Sequence, residues 1–394
     1  MRSQIEGSRA IAETVARCRP QVVPAYPITP QTHIVEAVGA MVKDGRLEGC
    51  EFITVESEFA AMSAAIGASA AGARTYTATA SQGLLYMTEA LFNAAGLGLP
   101  IVMTVANRAI GAPINIWNDQ SDAMSQRDCG WIQLYAEDNQ AAVGLHAIAF
   151  RLAERLSVPV MVCVDGFVLT HAFEPVELPE QSTVDSFLPP FRPRQLLTPY
   201  DPVTIGAMVG PEAFTEVRYL AHHQMMRAID EFGVLAGAYA RATGYELSAV
   251  SGYHVEDART VVVALGSVAG TIKDTVDEAA SPVGVVTLGL YRPFPAAEVR
   301  RMLAGADHVI VVERAFAPGM GGIVSADVRA ALASLPGRPA RISTVVAGLG
   351  GRAVTKASIS RMLADAHTGK LGELSFLDLR NDVVERELAT GRSR

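Results

Sequence analysis

Short continuous apolar runs alternate with helix-like segments over the first part of the chain. The runs PIVMTVAN (residues 100–107) and VPVMVCVDG (residues 158–166) are bounded by turn residues, and SAAIGASAAG (residues 63–72) is small enough for a tightly packed helix. Continuous apolar runs separated by helices indicate parallel strands that are buried on both faces. The pattern predicts an α/β domain over residues 1–173, with a parallel sheet and helices on both of its faces.

The composition changes after residue 173. Seven prolines fall between residues 174 and 202, at Pro175, Pro179, Pro189, Pro190, Pro193, Pro199 and Pro202. No long helix is compatible with that density, so we expect an extended surface connector. A largely helical stretch follows at about residues 212–242, and we assign residues 174–244 to this connector and helical segment.

The alternation then resumes and predicts a second, smaller α/β domain over residues 245–345. The strand candidates are TVVVALGS (260–267), VGVVTLGL (283–290) and HVIVVE (308–313), and the helix candidates are GTIKDTVDEAA (270–280) and AAEVRRMLAGA (296–306). Strands joined by single helices form right-handed βαβ units in a parallel sheet. The polar tail, residues 346–394, is expected to contact another subunit.

Composition narrows the class of protein. Of the 394 residues, 49% are hydrophobic and 19% are charged, which suits two well-packed domains. The net charge is −8 without a basic cluster, so we expect neither nucleic acid nor a membrane surface as a partner. No signal-type or membrane-spanning run is present, and we expect a cytoplasmic protein.

The sequence has no motif for the common metal or nucleotide sites. Cys18, Cys50, Cys129 and Cys163 are isolated and form no CxxC pair, so we expect this chain to bind neither a metal nor an iron–sulfur cluster. Neither GxxxxGK[ST] nor a strand-to-helix GxGxxG occurs. The segment APGMGG (317–322) follows a strand and precedes a helix, and both an anion site and a bare turn fit it.

Four segments carry candidate chemistry, and each comes near the end of a predicted strand, where ligands bind in open α/β sheets. They are VPAYPITPQT (23–32), VESEFAAM (55–62), TASQGLLYM (79–87) and VANRAIGAPINIWNDQSDAM (105–124). The prolines of the first segment stiffen a loop around Thr29, whose hydroxyl fits a ligand contact or an ordinary turn. Glu58 fits helix-end electrostatics or a ligand contact, and Arg108 fits a surface cation or a carboxylate-binding group.

Taken together, YPITPQT, ESEFAA, TASQGLL and an arginine followed by NDQSD resemble the α subunits of pyruvate:ferredoxin oxidoreductases. These are thiamine diphosphate enzymes of the 2-oxoacid:ferredoxin oxidoreductase family. LGLYRPFP (288–295) and VVERAFAPGMGG (311–322) look like the transketolase C-terminal-type domain of that family. The resemblance spans nearly the whole chain and implies a thiamin-diphosphate-binding-fold pyrimidine domain followed by a transketolase C-terminal-like domain.

The resemblance also implies roles for individual residues. Glu58 matches the glutamate that bonds the aminopyrimidine ring of thiamine diphosphate and promotes deprotonation of its thiazolium C2. Thr29 and Arg108 match the groups that orient the oxygen atoms and carboxylate of the substrate. The further cofactor-binding positions that it implies are Tyr26, Pro27, Ile28, Ser81, Gln82 and Gly83.

A GDG segment with a downstream asparagine, which holds Mg²⁺ and the diphosphate in thiamine enzymes, is missing, since VDG (164–166) lacks the first glycine. The resemblance therefore implies a β subunit that completes the cofactor site and supplies Mg²⁺. Iron–sulfur clusters are expected on the β subunit and on a ferredoxin-like δ subunit or domain, and a γ subunit is expected too. Coenzyme A would be the acyl acceptor and ferredoxin the electron acceptor.

The implied reaction is the reversible oxidative decarboxylation of pyruvate with coenzyme A to acetyl-CoA and CO₂. TASQGLL resembles the pyruvate-type members more than those acting on 2-oxoglutarate, and Thr29 argues against oxalate-type relatives; 2-oxobutyrate is an expected side substrate. Three alternatives stay open: another 2-oxoacid:ferredoxin oxidoreductase, a 2-oxoacid dehydrogenase E1 or transketolase-like subunit, and a scaffold without activity.

Overall fold

A computed structural model describes residues 2–278 and 282–391. Its strands are β1 (Ser3–Glu6), β2 (Val22–Ala25), β3 (Glu51–Thr54), β4 (Tyr76–Thr79), β5 (Val102–Asn107), β6 (Ile132–Tyr135), β7 (Val160–Asp165), β8 (Phe173–Val176), β9 (Val250–Tyr253), β10 (Thr260–Ala264), β11 (Val283–Leu288), β12 (Leu290–Arg292), β13 (His308–Glu313), β14 (Arg341–Val346) and β15 (Leu374–Phe376).

The helices in the same residues are α1 (Gly7–Arg17), α2 (Thr32–Lys43), α3 (Glu58–Ala70), α4 (Ser81–Tyr86), α5 (Thr88–Gly96), α6 (Ser121–Ser125), α7 (Asn139–Leu156), α8 (Gln181–Phe187), α9 (Phe214–Thr243), α10 (Val268–Val276), α11 (Ala296–Leu303), α12 (Val324–Leu332), α13 (Lys356–His367) and α14 (Asn381–Ala389). A short 3₁₀ turn covers Leu349–Gly351.

The first sheet has the strand order β12-β6-β7-β5-β4, and β2 and β3 form a parallel pair beside it. A parallel bridge between Val22 and Thr75 and a hydrogen bond from Thr77 Oγ1 to the Pro24 carbonyl at 2.8 Å join that pair to β4. The strands β3, β2, β4 and β5 therefore lie in this spatial order and all run parallel. Their carboxyl ends consequently meet at one edge of the sheet.

The two faces of the first sheet are covered by different helices. Buried side chains of α1, α2, α7 and α9 form one core cluster, which includes Phe150 and Phe232. Small side chains of α3 and α5 form the other cluster with Trp131 and with residues of the second sheet such as Val263 and Val311. Apolar packing thus continues across the boundary between the two sheets, which positions them relative to each other.

The second sheet has the order β15-β14-β13-β10-β11-β9, in which only β9 is antiparallel to its neighbour among the described strands. Its outer face packs against α10 and α13. The predicted α/β architecture is confirmed, with parallel strands and helices in both units. The predicted helix at 270–280 begins at Val268 and ends at Val276, and its last two positions lie outside the described residues.

Two details of the second unit differ from the sequence expectations. VGVVTLGL is not one strand, because the chain leaves the second sheet at Gly289 and β12 pairs antiparallel with β6 of the first sheet. The backbone N–H of Tyr135 donates to the Gly289 carbonyl at 2.8 Å, which fixes this crossover. The predicted domain limits stay predictions, but β15 and α13, which we placed in the tail, belong to the second sheet and its core.

The predicted connector also contains regular structure. Its first residues form β8, which pairs antiparallel with β1 at the N-terminus, and α8 follows. The helix α9 is 30 residues long and ends at Gly244, whose φ of 76° allows the left-handed turn that stops the helix. Within the described residues, no helix combines the length and apolar content needed to cross a membrane.

A buried polar cluster joins the two units. The carboxylate of Asp165, at the end of β7, accepts hydrogen bonds from Gln120 Nε2 at 3.0 Å and from the backbone N–H of Ser267 at 2.8 Å. It also forms an ion pair with Arg314 Nη1 at 3.2 Å, and the two side chains are 1% and 7% exposed. A buried charge needs such a partner, so the four groups depend on one another.

We predict that Asp165→Asn lowers the free energy of unfolding by roughly 3–5 kcal/mol, because it leaves the Arg314 cation buried without a counter-charge. Urea unfolding of the purified chain measures this loss. The control is Asp307→Asn, which breaks the exposed Arg259–Asp307 pair and should change stability little. Equal effects of the two substitutions would contradict a structural role for the buried pair.

Candidate active site

The four segments with candidate chemistry meet at one edge of the first sheet. The Thr29 loop follows β2, Glu58 follows β3, Ser81 follows β4 and Arg108 follows β5. Since these strands are neighbours and parallel, their carboxyl ends place the four segments side by side. The four segments thus lie at the strand ends, and their use as a binding site stays a prediction.

The buried side chain of Gln31 fixes the Thr29 loop to the neighbouring strand β4. The fully buried side chain of Gln31 donates from Nε2 to the Tyr26 carbonyl at 2.9 Å and to the Ala78 carbonyl at 3.2 Å. Among the described residues, the Thr29 hydroxyl has no hydrogen-bond partner, and the residue is exposed. The loop therefore presents this hydroxyl to the outside instead of using it to close a turn.

Arg108 and Thr29 are in direct contact. Arg108 Nη1 donates to the Thr29 carbonyl at 2.9 Å, and Arg108 Nε donates to the Asn115 carbonyl at 3.3 Å. No carboxylate in the described part of the chain forms an ion pair with Arg108. Partial burial lowers the pKa of this guanidinium, which still stays protonated. A cation without a counter-ion is thus held beside an unpartnered hydroxyl.

Asp122 organises the segments around that cation. Its buried carboxylate accepts from the backbone N–H groups of Ser81 at 2.9 Å, Arg108 at 3.0 Å and Ala123 at 2.7 Å, and from Asn107 Nδ2 at 2.8 Å. Burial raises the pKa of Asp122 to about 6, although these hydrogen bonds act to lower it. One side chain therefore fixes the ends of β4 and β5 relative to each other.

The turn at Ser81 has a constrained backbone. Ser81 is fully buried with a φ of 49°, a region that few residues other than glycine adopt. Its hydroxyl donates to the Ala109 carbonyl and contacts the Gln82 side chain. The Ser81 side chain is thus used to shape the turn, and such constrained positions often lie at functional sites.

Glu58 occupies a small cradle formed by the next strand. It begins α3, directly after Ser57, whose hydroxyl caps the helix by accepting from the Ala60 N–H at 3.2 Å. A Cβ atom at Gly83 would lie 2.7 Å from Glu58 Oε1 and 2.6 Å from Thr79 Oγ1, so only glycine fits there. Among the described residues the Glu58 carboxylate has no hydrogen-bond partner, although the residue is only 8% exposed.

Thr79 adds a second unsatisfied group to the cradle. Its hydroxyl is completely buried and has no hydrogen-bond partner in the part of the chain that the structure describes. Buried polar groups are almost always paired, because an unpaired one costs about 1–3 kcal/mol. Because the Thr79 hydroxyl is shielded from solvent, the Glu58 carboxylate is the group of this cradle that fits a contact with a ligand.

The loop between Arg108 and Asp122 is anchored to the second unit. Asn115 Nδ2 donates to the Gly350 carbonyl at 3.1 Å, and the Gly350 N–H donates to Asp119 at 3.2 Å. The Gly351 N–H donates to the Asn118 carbonyl at 2.7 Å. Burial raises the pKa of the Asp119 carboxyl group. The hydrogen bond from Gly350 helps to hold this side chain in place. The second unit thus shapes the loop that carries the arginine.

Sequence reasoning missed the roles of Asp122, Thr79 and Gln31. All three lie within or next to the segments singled out above, but nothing in their spacing distinguishes a buried carboxylate or amide from an exposed one.

The predicted cofactor residues Tyr26 and Pro27 are exposed on the Thr29 loop, and Ile28 is half-buried. A Cβ atom added at Gly111 would lie 2.6 Å from Gln82 Nε2. The Gln82 side chain therefore packs against the loop between Arg108 and Asp122, which we call the arginine loop.

The glycine-rich segment APGMGG closes on itself, because the N–H groups of Met320 and Gly321 donate to the Ala317 carbonyl at 3.0 and 2.8 Å. The buried carboxylate of Glu313 accepts from the N–H groups of Ile323 at 2.7 Å, Val324 at 2.8 Å and Ser325 at 3.2 Å. These are the free donors at the start of α12, and an internal anion already satisfies them. The segment therefore forms a turn next to this helix start, and the anion site stays a prediction.

The protein is thus an α/β protein with two largely parallel sheets. Among its described residues, one strand-end loop holds a carboxylate without a partner and another holds an arginine without a counter-ion. Two family models match the chain. "Pyruvate flavodoxin/ferredoxin oxidoreductase, thiamine diP-bdg" matches residues 13–232, more than half of the chain. "Pyruvate:ferredoxin oxidoreductase core domain II" matches residues 258–359. The chain belongs to the pyruvate:ferredoxin oxidoreductase family.

Curated relatives agree over nearly the full length. Pyruvate synthase subunit PorA of Methanosarcina barkeri is 44% identical over 391 residues, covering 96% of this chain and 97% of the relative. The PorA subunit of Pyrococcus abyssi is 42% identical and covers 98% and 100%. Ketoisovalerate oxidoreductase subunit VorA of Pyrococcus horikoshii is 38% identical and covers 93% and 95%.

A solved structure shares the fold. It is a 2-oxoglutarate:ferredoxin oxidoreductase from Magnetococcus marinus with 2-oxoglutarate, coenzyme A and succinyl-CoA bound. The match has a TM-score of 0.70 at 20% identity and covers 92% of this chain. This chain spans 65% of the length of that solved chain. The predicted fold class is thus confirmed by a member of the wider 2-oxoacid:ferredoxin oxidoreductase group.

We predict a pH dependence of stability that arises from Asp122. Because burial raises its pKa from 3.8 to about 6, the folded chain retains a proton that the unfolded chain loses between about pH 4 and pH 6. The stabilising contribution is complete below pH 4 and is lost as the pH rises through 6. At about 1.4 kcal/mol per pH unit, the loss is about 3 kcal/mol.

Urea unfolding of the wild-type chain and Asp122→Asn across this pH range tests the prediction. The wild-type chain should lose free energy of unfolding relative to the variant as the pH rises from 4 to 6. The control is Asp128→Asn, which alters an exposed carboxylate nearby and should follow the wild-type curve. A constant difference between wild type and Asp122→Asn would contradict the assignment.

Proposed function

We propose that this chain is the α subunit of a pyruvate synthase, which converts pyruvate and coenzyme A to acetyl-CoA and CO₂ and passes the electrons to ferredoxin, reversibly. The observation that carries the proposal is that one sheet edge presents two groups without a partner among the described residues. One is the Glu58 carboxylate beside Gly83, which has no hydrogen-bond partner, and the other is the Arg108 cation beside Thr29, which has no counter-ion in that part of the chain. Relatives of matching length that are named pyruvate synthase subunits support it.

The cradle around Glu58 fits thiamine diphosphate. The carboxylate has no hydrogen-bond partner among the described residues, and an aminopyrimidine ring offers nitrogen donors and acceptors to such a group. Glu58 would hold one ring nitrogen and exchange a proton with it, while Gly83 would leave room for the ring. When bound, thiamine diphosphate supplies an electron sink for cleavage of the carboxyl group from a 2-oxoacid.

Arg108 and Thr29 would bind and orient the substrate. The guanidinium has no counter-ion among the described residues, so a 2-oxoacid carboxylate can supply one through charge-assisted hydrogen bonds. The Thr29 hydroxyl can donate to the keto or carboxyl oxygen, and its loop is already fixed by Gln31. A fixed donor and a fixed cation lower the entropic cost of reaching the reactive geometry.

The site requires partner subunits. Large apolar side chains are exposed around the strand-end edge, namely Tyr26, Ile53, Phe59 and Tyr86. Exposed apolar surface beside a polar site is typical of an interface. Asp165, the acid of the VDG segment, is engaged by Gln120, Ser267 and Arg314, so a β subunit would supply the diphosphate and Mg²⁺ ligands.

The electron carriers would also come from other subunits. The four cysteines are buried thiols, and burial raises the pKa of Cys18 and Cys129 to about 12. Iron–sulfur ligation needs thiolates, which burial disfavours. We propose that the β subunit and a ferredoxin-like δ subunit hold the clusters, that a γ subunit completes the complex and that the complex is cytoplasmic.

Reconstitution with the partner subunits tests the function. Pyruvate and coenzyme A should reduce ferredoxin or a viologen, with a higher kcat/KM for pyruvate than for 2-oxobutyrate, 2-oxoglutarate, oxalate or ketoisovalerate. A higher value for another acid would assign the complex to that substrate. Decarboxylation without electron transfer to the viologen would instead favour an E1-like or transketolase-like subunit.

We predict that Glu58→Gln in the reconstituted complex lowers kcat by about 100- to 10,000-fold, the usual contribution of a general acid–base group. The measurement is turnover together with the rate of C2 proton exchange of bound thiamine diphosphate. The control is Glu56→Gln, which alters an exposed carboxylate two residues away and should leave both rates unchanged. Unchanged C2 exchange in Glu58→Gln would remove this residue from the mechanism.

We also predict that Arg108→Ala raises the KM for pyruvate at least 10-fold and that Thr29→Ala has a smaller effect, because a lost charge contact costs more than a lost neutral hydrogen bond. Steady-state kinetics of the reconstituted complex measure both. The control is Arg259→Ala, which removes an exposed arginine of the second unit. Normal pyruvate kinetics in both site variants would show that the substrate binds elsewhere.

A further inference from the structure

Three side chains that the proposed reaction does not use meet beside the Thr29 loop. Glu6 ends β1, His33 is the second residue of α2, and His171 lies between β7 and β8. One ligand atom from each lies within 4.8 Å of the others. His33 Nδ1 lies 2.7 Å from Glu6 Oε1, and the two imidazole ring centres are 4.7 Å apart.

Backbone hydrogen bonds fix the position of Glu6 relative to His171. Directly after Glu6, the Gly7 N–H donates to the Ala172 carbonyl at 3.0 Å, and the Ser8 N–H donates to the Thr170 carbonyl at 2.8 Å. The Ser8 hydroxyl donates to the same carbonyl at 2.7 Å. Both neighbours of His171 are thus tied to the residues that follow Glu6, so the carboxylate and this imidazole are brought together by the fold itself.

A neighbouring hydroxyl orients the His171 ring. Thr170 Oγ1 lies 2.8 Å from His171 Nδ1 and accepts from the Phe167 N–H at 2.8 Å. The Phe167 ring centre is 4.9 Å from that of His171. A histidine that binds a metal through one nitrogen usually bonds an oxygen through the other.

We propose that Glu6, His33 and His171 form a binding site for a divalent transition metal of the zinc type. Two imidazoles and a carboxylate suit zinc, whereas Mg²⁺ and Ca²⁺ prefer oxygen ligands. Ligand distances of about 2.1 Å place tetrahedral ligand atoms about 3.4 Å apart, so a small rotation of His33, which is 51% exposed, would close the site. The remaining position is open to water or to a partner subunit.

The location gives the site a structural consequence. His33 lies in the first turn of α2, four residues after Thr29, and the Phe167 ring centre is 4.8 Å from that of Trp117 in the arginine loop. A bound metal would link the N-terminal strand, the start of α2 and the turn after β7. This inference does not depend on the proposed reaction, and it revises the expectation that the chain holds no metal.

Titration of the tag-free, metal-free full chain with Zn²⁺ tests the proposal. Calorimetry or competition with a chromophoric chelator should give one bound equivalent, and Zn²⁺ should raise the unfolding temperature. Glu6→Gln, His33→Gln and His171→Gln should each weaken binding at least 10-fold and reduce that rise. The control is His254→Gln, since His254 is an exposed histidine beside Asp277, and this variant should bind Zn²⁺ like the wild type.

Thermal unfolding in metal-free buffer checks that each variant folds. If a variant does not fold, the two others still decide the question, because each removes a different ligand. Absence of a stoichiometric site in the wild type would overturn the proposal. Equal Zn²⁺ affinity of the wild type and the folded variants would overturn it too, and the cluster would then be an exposed Glu6–His33 ion pair stacked on His171.

Discussion

The geometry of the site depends on the buried carboxylate of Asp122. The Asp122 carboxylate accepts from the backbone N–H groups of Ser81 and Arg108, which follow the ends of two strands. It therefore positions the backbone of Arg108 but does not form an ion pair with the Arg108 guanidinium. A carboxylate shielded from water makes strong, directional bonds to N–H groups, but it is costly to bury. The protein thus uses an energetically unfavourable group to set the spacing between the Ser81 turn and Arg108.

Charged groups at the strand ends of this protein differ in whether internal partners neutralise them. Asp165 and Glu313, the acids at the ends of strands β7 and β13, are fully engaged by internal donors. Among the described residues, the Glu58 carboxylate has no hydrogen-bond partner, and Arg108 bonds carbonyl groups but forms no ion pair. At the candidate site, by contrast, a carboxylate and a cation lie at the sheet edge without such internal partners in the part of the chain that the structure describes.

The sequence predicted the alternation of strands and helices, the family, and the loops around Thr29, Glu58 and Arg108, because apolar runs and short motifs are local features. It could not predict what depends on distant segments. The role of Asp122 follows from burial of one carboxylate in a polar loop, and His171 lies more than a hundred positions after Glu6 and His33. The crossover at Gly289 was missed since an apolar run does not reveal which sheet it joins.

The strand β12 has a further consequence for how the molecule can be divided. It belongs by sequence to the second unit but covers the outer edge of the first sheet through its pairing with β6. Without it, β6 would expose a row of unpaired backbone N–H and C=O groups, which favours association with other strands. We therefore expect the first unit produced alone to be prone to aggregate, because its sheet edge is completed by a strand of the second unit.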